Sequence, residues 1–168
     1  MLRFSSLFLI LLVVLFGIEL TNVVYEGVIL PFTSGVASVS AYILTAFDAD
    51  VISHSNVLRS SKSGFSVSIE SGCNGVEAMI ILIAAVVSFP STLVQKLMAI
   101  IGGFIAIQTF NLMRIISLFY LGQWNMEMFE WAHLYLWPAL IIVDVLLVFF
   151  VWLRLINVSV PEEEVKSA

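Results

Sequence analysis

One cysteine, two histidines and seven Lys or Arg residues are spread over 168 positions. A single thiol cannot close an intramolecular disulfide. No CxxC pair or Cys/His zinc spacing is present, so neither a metal nor a cofactor is expected, and cysteine usage leaves the redox compartment open. No basic block occurs, which removes nucleic acid from the expected partners. Charge is scarce altogether: 11% of residues are charged against 61% hydrophobic, with a mean hydropathy of +1.08. Soluble globular domains do not have this composition. It describes an all-α integral membrane protein in contact with lipid.

Apolar segments long enough to cross a hydrocarbon core, roughly 17 to 25 residues, lie at about 6–30, 74–90, 97–120 and 134–156. The first follows Arg3 and lacks a small-x-small cleavage site just after its apolar run, so it is expected to be a retained anchor. Lys and Arg collect on the cytoplasmic side of spans. Arg3, Lys96, Arg154 and Lys166 share one side and Arg59 and Lys62 the other, which favours cytoplasmic termini and an acidic cytoplasmic tail over 157–168. Neither an internal repeat nor a second domain is visible, so residues 1–168 are expected to form a single membrane domain.

An extracytoplasmic insert at 31–72 separates the first two spans. In "GVASVSAYILTAF", Val36, Val39, Tyr42, Ile43, Ala46 and Phe47 share a helical stripe, which predicts a short amphipathic helix lying on the membrane or on the other spans. After the turn-like "SKSG", Phe65, Val67 and Ile69 alternate with Ser66, Ser68 and Glu70, which predicts a short hairpin. That hairpin delivers the chain to the only cysteine.

Cys73, in "SGCNG", stands at the outer entrance of the second span, where Gly72 and Gly75 permit a tight turn. A free cysteine is most often a small buried hydrophobe, but at a helix N-terminus its thiolate is favoured by the helix dipole. Arg114, in "FNLMRIISLFY", lies roughly 9 Å below the outer edge of the third span by helical rise. An arginine at such depth costs at least ~2.5 kcal/mol on insertion scales, unless it snorkels to the interface. Asn111, three residues earlier, shares its face. His133 begins the fourth span on the same outer side, whereas His54 sits in a Ser/Asn-rich stretch and reads as solvated.

Three successive membrane boundaries therefore bring Cys73, Arg114 and His133 to one surface. A thiol, an imidazole base and a cation for a developing oxyanion are the components of thiol acyl transfer. Glu77 follows Cys73 by one turn and is placed to offset Arg114, with Asn74 and Asn111 as further supports. His133 and the helix terminus are expected to activate the thiol, with burial opposing them. Two other readings remain open: a small transporter or channel subunit using Glu19, Glu77, Arg114 and Asp144 as a charge pathway, or a structural assembly subunit.

The pattern "GCNGVEAM" at 72–79, "NLMRI" at 111–115 and His133 resembles the exosortase and archaeosortase family, most closely exosortase H. The resemblance covers about residues 65–156, and many members have Ser where Asn74 stands. It implies a cysteine protease or transpeptidase of the bacterial inner membrane, its site at the extracytoplasmic face. The implied substrate is an exported protein with a C-terminal signal made of a short motif, of Ile-Pro-Thr-Leu type for exosortase H, a transmembrane helix and a basic cluster. The resemblance also implies transfer to a surface acceptor, whose identity it does not specify.

The basic flanks generate a first prediction. In a Cys73→Ala background, an impermeant thiol reagent applied to intact cells should label Lys62→Cys and spare Lys96→Cys. Labelling of position 62 only after lysis would reverse the topology.

Overall fold

The computed structural model describes residues 2–47 and 50–156; the acidic tail expected over 157–168 lies outside the described residues. Helix α1 spans Leu2–Glu19 and ends where Thr21 turns extended, its hydroxyl donating to the carbonyl of Ile18 at 2.7 Å. Helix α2 then runs over Asn22–Thr45. A single first span over 6–30 is therefore not what forms: the chain breaks at 20–21, because Thr21 satisfies the end of one helix and stands before the start of the next.

Helix α3 is Val76–Ser88, α4 is Leu93–Trp124 and α5 is Met126–Leu155. Among the described residues, α2, α4 and α5 are long and apolar enough to cross a membrane, and α3 is a shorter apolar helix. Helix α4 starts at a capping box: the Thr92 hydroxyl accepts from the Gln95 amide, and the Gln95 side chain accepts from the Thr92 amide. Asn125 alone separates α4 from α5, and its side chain caps α5 by accepting from the Met128 amide. Both α2 and α5 contain a π-helical turn, Tyr25–Ile29 and Ala132–Leu136, shortly before a proline, Pro31 and Pro138. The wider turn relieves the clash between the proline ring and the preceding turn that would otherwise break the helix.

Three antiparallel strands, β1 (Val51–His54), β2 (Val57–Ser60) and β3 (Ser66–Ser68), stand in the order β1-β2-β3. The hairpin at "SKSG" forms as expected, closed by the Ser60 amide on the Phe65 carbonyl, and Phe65, Val67 and Ile69 alternate inward. A further tight turn at Ser55, with φ 53°, adds β1.

The α2 stripe departs from expectation. Its buried residues are Thr33, Val36, Ala37, Ser40, Ala41 and Leu44, whereas Val39, Tyr42 and Phe47 are exposed. Small residues gain most from close helix contact, so they fill the inward face, while Tyr42 and Phe47, large apolar members of the stripe, lie away from the other elements.

Two cores result. One joins α2, the sheet and the C-terminal half of α4 through Val36, Leu44, Leu58, Ile69 and Phe119, with Cys73 packed at its margin. Each large side chain withdrawn from water there contributes about 1.5–3 kcal/mol. The other joins α3, the first half of α4 and α5 through Leu82, Val86, Ile107, Val145 and Trp152. In lipid it depends on packing fit rather than on water exclusion. Helix α1 pairs antiparallel with α3: Phe4 meets Phe89 at one end, and Glu19 lies beside Glu77 at the other.

Adjacent glycines on α4 test this packing. A Cβ on Gly103 would come within 2.2 Å of the fully buried Leu82 side chain, whereas one on Gly102 meets nothing within 4 Å. Gly103→Val should destabilise the protein by about 1–3 kcal/mol. Gly102→Ala should be neutral or stabilising by up to about 1 kcal/mol. Thermal unfolding in detergent compares the two, and equal losses would contradict the packing described.

Candidate active site

The loop from Glu70 to Gly75 turns twice through left-handed glycines, Gly72 and Gly75, each at φ 83°. At Gly75 any other residue is strained by the positive φ, and its Cβ, 2.7 Å from Nε2 of Gln108, would also displace that side chain. The loop is held from several directions. The Asn74 side chain donates to the Thr33 hydroxyl at 3.0 Å and accepts from the Val76 amide at 3.0 Å, while Gln108 donates to the Asn74 carbonyl at 3.2 Å. Asn74 is fully buried, so its role here is to position the loop. Glu77 accepts from the Gly72 amide.

Arg114 reaches across from α4. Its Nη1 donates to the Gly72 carbonyl at 2.9 Å and its Nη2 to Cys73 Sγ at 3.2 Å. The residue is 3% exposed, which excludes a side chain snorkelling to the interface. Ser117 donates its hydroxyl to the Arg114 carbonyl at 2.8 Å, and Asn111 donates to Gln108 at 3.4 Å.

His133 stands in the π-helical turn of α5, its ring stacked on Phe129 at 5.7 Å and 2°. It lies within electrostatic reach of Arg114. No hydrogen bond links His133 to Cys73 among the described residues. The structure thus brings Cys73 and Arg114 into direct contact, with His133 within electrostatic reach of Arg114. Among the described residues, three buried polar atoms have no partner: Asn111 Oδ1, Arg114 Nε and His133 Nδ1. Buried polar groups are ordinarily satisfied, and orphans on the arginine that contacts the thiol, on Asn111 one turn before it and on His133 fit a site that completes its hydrogen bonds with a ligand.

His54 is on exposed β1, apart from this group. Thr33 and Gln108 join it without having been singled out. Gln108 was accessible to helical spacing, since it precedes Asn111 by three residues on an otherwise apolar helix; Thr33 was not, because its place depends on how α2 packs.

Burial pushes the Cys73 thiol up from its ordinary value; Arg114 pulls it back, and Glu77 and Glu70 push it up further. Burial is the largest of these influences, and its direction opposes the activation expected from the helix terminus and from His133.

A family model described as transmembrane exosortase (Exosortase_EpsH) matches residues 1–154. No curated protein and no solved structure matches the chain.

The electrostatics of the thiol generate a prediction with a definite sign. Only the thiolate alkylates, so in the protein without substrate Cys73 should react more slowly at neutral pH than a small exposed thiol, its pH midpoint above that of an exposed cysteine. Arg114→Gln should slow the reaction further and Glu77→Gln should quicken it. Fast alkylation of the parental protein, or the opposite order of the variants, would contradict the assignment.

Proposed function

The chain belongs to the transmembrane exosortase family, and on that premise we propose that it is a membrane-embedded cysteine transpeptidase that processes C-terminal sorting signals of exported proteins. The observation that carries this reading is the contact between Arg114 Nη2 and Cys73 Sγ at 3.2 Å, with the Nε of the same guanidinium left unpartnered among the described residues. A guanidinium against a thiol stabilises the thiolate when a proton acceptor removes the S–H proton, and His133 is that acceptor.

Sγ then attacks the carbonyl carbon of the scissile peptide, and the developing oxyanion is held by the Arg114 fork. Asn111 Oδ1 is free to accept a substrate N–H, and Arg114 Nε to donate to a substrate carbonyl. When the C–N bond breaks, imidazolium gives its proton to the departing amine, leaving an acyl thioester on Cys73. An acceptor amine or water, deprotonated by His133, attacks the thioester and regenerates the thiol. Transfer and hydrolysis share the same acyl-enzyme and differ only in that second nucleophile.

The proposed substrate is the tripartite signal, with a motif of Ile-Pro-Thr-Leu type, a transmembrane helix and a basic cluster. The proposed location is the bacterial inner membrane with the site at its extracytoplasmic face, where the signal motif of an exported protein emerges. The charge-pathway alternative needs ionisable groups spread through the depth. Here Glu19, Glu77 and Arg114 gather around one loop and Asp144 alone of the four lies apart from it, which supports a localised site instead.

Arg114→Lys keeps the charge but loses the planar fork that reaches Gly72 and Cys73 together. The protein should insert and fold, and cleave its substrate about 10²- to 10³-fold more slowly, the usual cost of one oxyanion donor. Cys73→Ala should abolish cleavage. Near-parental cleavage by Arg114→Lys would reduce Arg114 to a positioning charge, and cleavage surviving Cys73→Ala would sink the thiol mechanism.

A further inference from the structure

A cleft of about 500 Å³ runs between α4 and α5 on the side of the molecule away from α1, and nothing in the proposed chemistry uses it. Along α4 it extends from Gln95 to Phe110, roughly 22 Å by helical rise and thus most of a hydrocarbon core. Its α4 wall includes the small residues Ala99, Gly102 and Ala106 beside the larger Met98 and Phe110, and its α5 wall includes Leu147 and Val151. The space in front of Gly102 is open. Small residues on one wall let another helix backbone approach closely, which is the main source of helix association where no hydrophobic drive exists.

A second, independent observation points to a ligand. Asp144 lines the cleft at 5% exposure, and no hydrogen-bond or ion-pair partner for it occurs among the described residues. A buried carboxyl at membrane depth is costly unless paired, and it is kept where it meets a polar partner. The upper end of the cleft is also informative. Phe110 immediately precedes Asn111, and Arg114 follows one turn later, so the cleft ends about one turn of α4 below the level of the thiol site.

The geometry points to the α4–α5 cleft as the seat of the substrate's transmembrane helix, with Asp144 as the contact for a polar side chain near the middle of that helix. This rests on the sorting reading above and adds to it a place and a selectivity. A helix lying on the Gly102 seam with its N-terminal end outward hands the residues preceding it to Cys73 and Arg114. The depth of the cleft then fixes which peptide bond reaches the thiol. Asp144 favours signal helices carrying an Asn, Gln, Ser or Thr at mid-length over purely aliphatic ones.

The test uses the full chain in membranes and a reporter ending in an Ile-Pro-Thr-Leu motif, a Leu/Ala helix with one Asn at mid-length, and a basic cluster. With a photoreactive phenylalanine analogue at position 102 in a Cys73→Ala background, the reporter should cross-link, and it should not when the analogue is at position 39 on exposed α2. No reporter cross-link from position 102 overturns the cleft, as does a cross-link only to a second copy of the chain or only to lipid. Because this background does not cleave, binding and chemistry separate: cross-linking from 102 without cleavage by the parental chain would overturn the proposed function and leave the cleft, whereas cleavage without cross-linking would do the reverse. In a cleaving background Gly102→Phe should raise KM at least about tenfold with the Cys73 alkylation rate unchanged. Asp144→Leu should slow cleavage of the Asn reporter about 3- to 30-fold and spare one with an all-Leu/Ala helix. Equal effects on both reporters would remove Asp144 as the polar contact.

Discussion

Arg114 is the constraint on which the rest of the structure depends. A guanidinium at 3% exposure inside a mostly apolar protein has to be held, and it is held by the Gly72 carbonyl and the Cys73 sulfur. Those acceptors reach it only because the loop before α3 turns through left-handed glycines and is fixed by Asn74 to α2 and by Gln108 to α4. The buried charge thereby ties three helices to one loop. Loss of the guanidinium would leave buried acceptors unsatisfied and free the loop that carries the thiol.

The site also sits at the seam between two cores that obey different physics. Above it, the sheet and α2 close over the second half of α4 by withdrawing apolar groups from water. Below it, α3, α4 and α5 associate in lipid through shape and small residues, as at Gly103 against Leu82. Helix α4 is long enough to belong to both, and Arg114 lies on the stretch where one core gives way to the other. A thiol at this boundary is shielded enough to be quiet alone, yet under the proposed topology it lies next to the level at which a membrane-anchored polypeptide leaves the bilayer.

Much of this was legible in the residues, and what was not has physical causes. Composition and run length identify a helical membrane protein, and the alternation at 65–70 with the turn at "SKSG" identifies the hairpin, because water on one face enforces period two. Cys73 and Arg114 were legible as a pair from their depth, since a buried arginine needs an acceptor at its own level. The break at 20–21 was not, because apolar character continues across it and only the local bonding of Thr21 marks it. The buried face of α2 was not legible for a related reason: it is lined mostly by small residues, and the apolar stripe with Val39, Tyr42 and Phe47 did not mark it. Thr33 was invisible because its contact with Asn74 is a tertiary consequence of that face.

The account's central claim is that Cys73 becomes covalently bonded to a substrate carbonyl. Mass spectrometry of the Cys73 peptide, after brief incubation of membranes with a sorting-signal reporter and acid quench, tests it most directly. The account predicts a hydroxylamine-sensitive thioester joining Cys73 to the new C-terminus of the reporter. Accumulation of cleaved reporter with Cys73 unmodified at every time point, and equally in the Cys73→Ala protein, would contradict it.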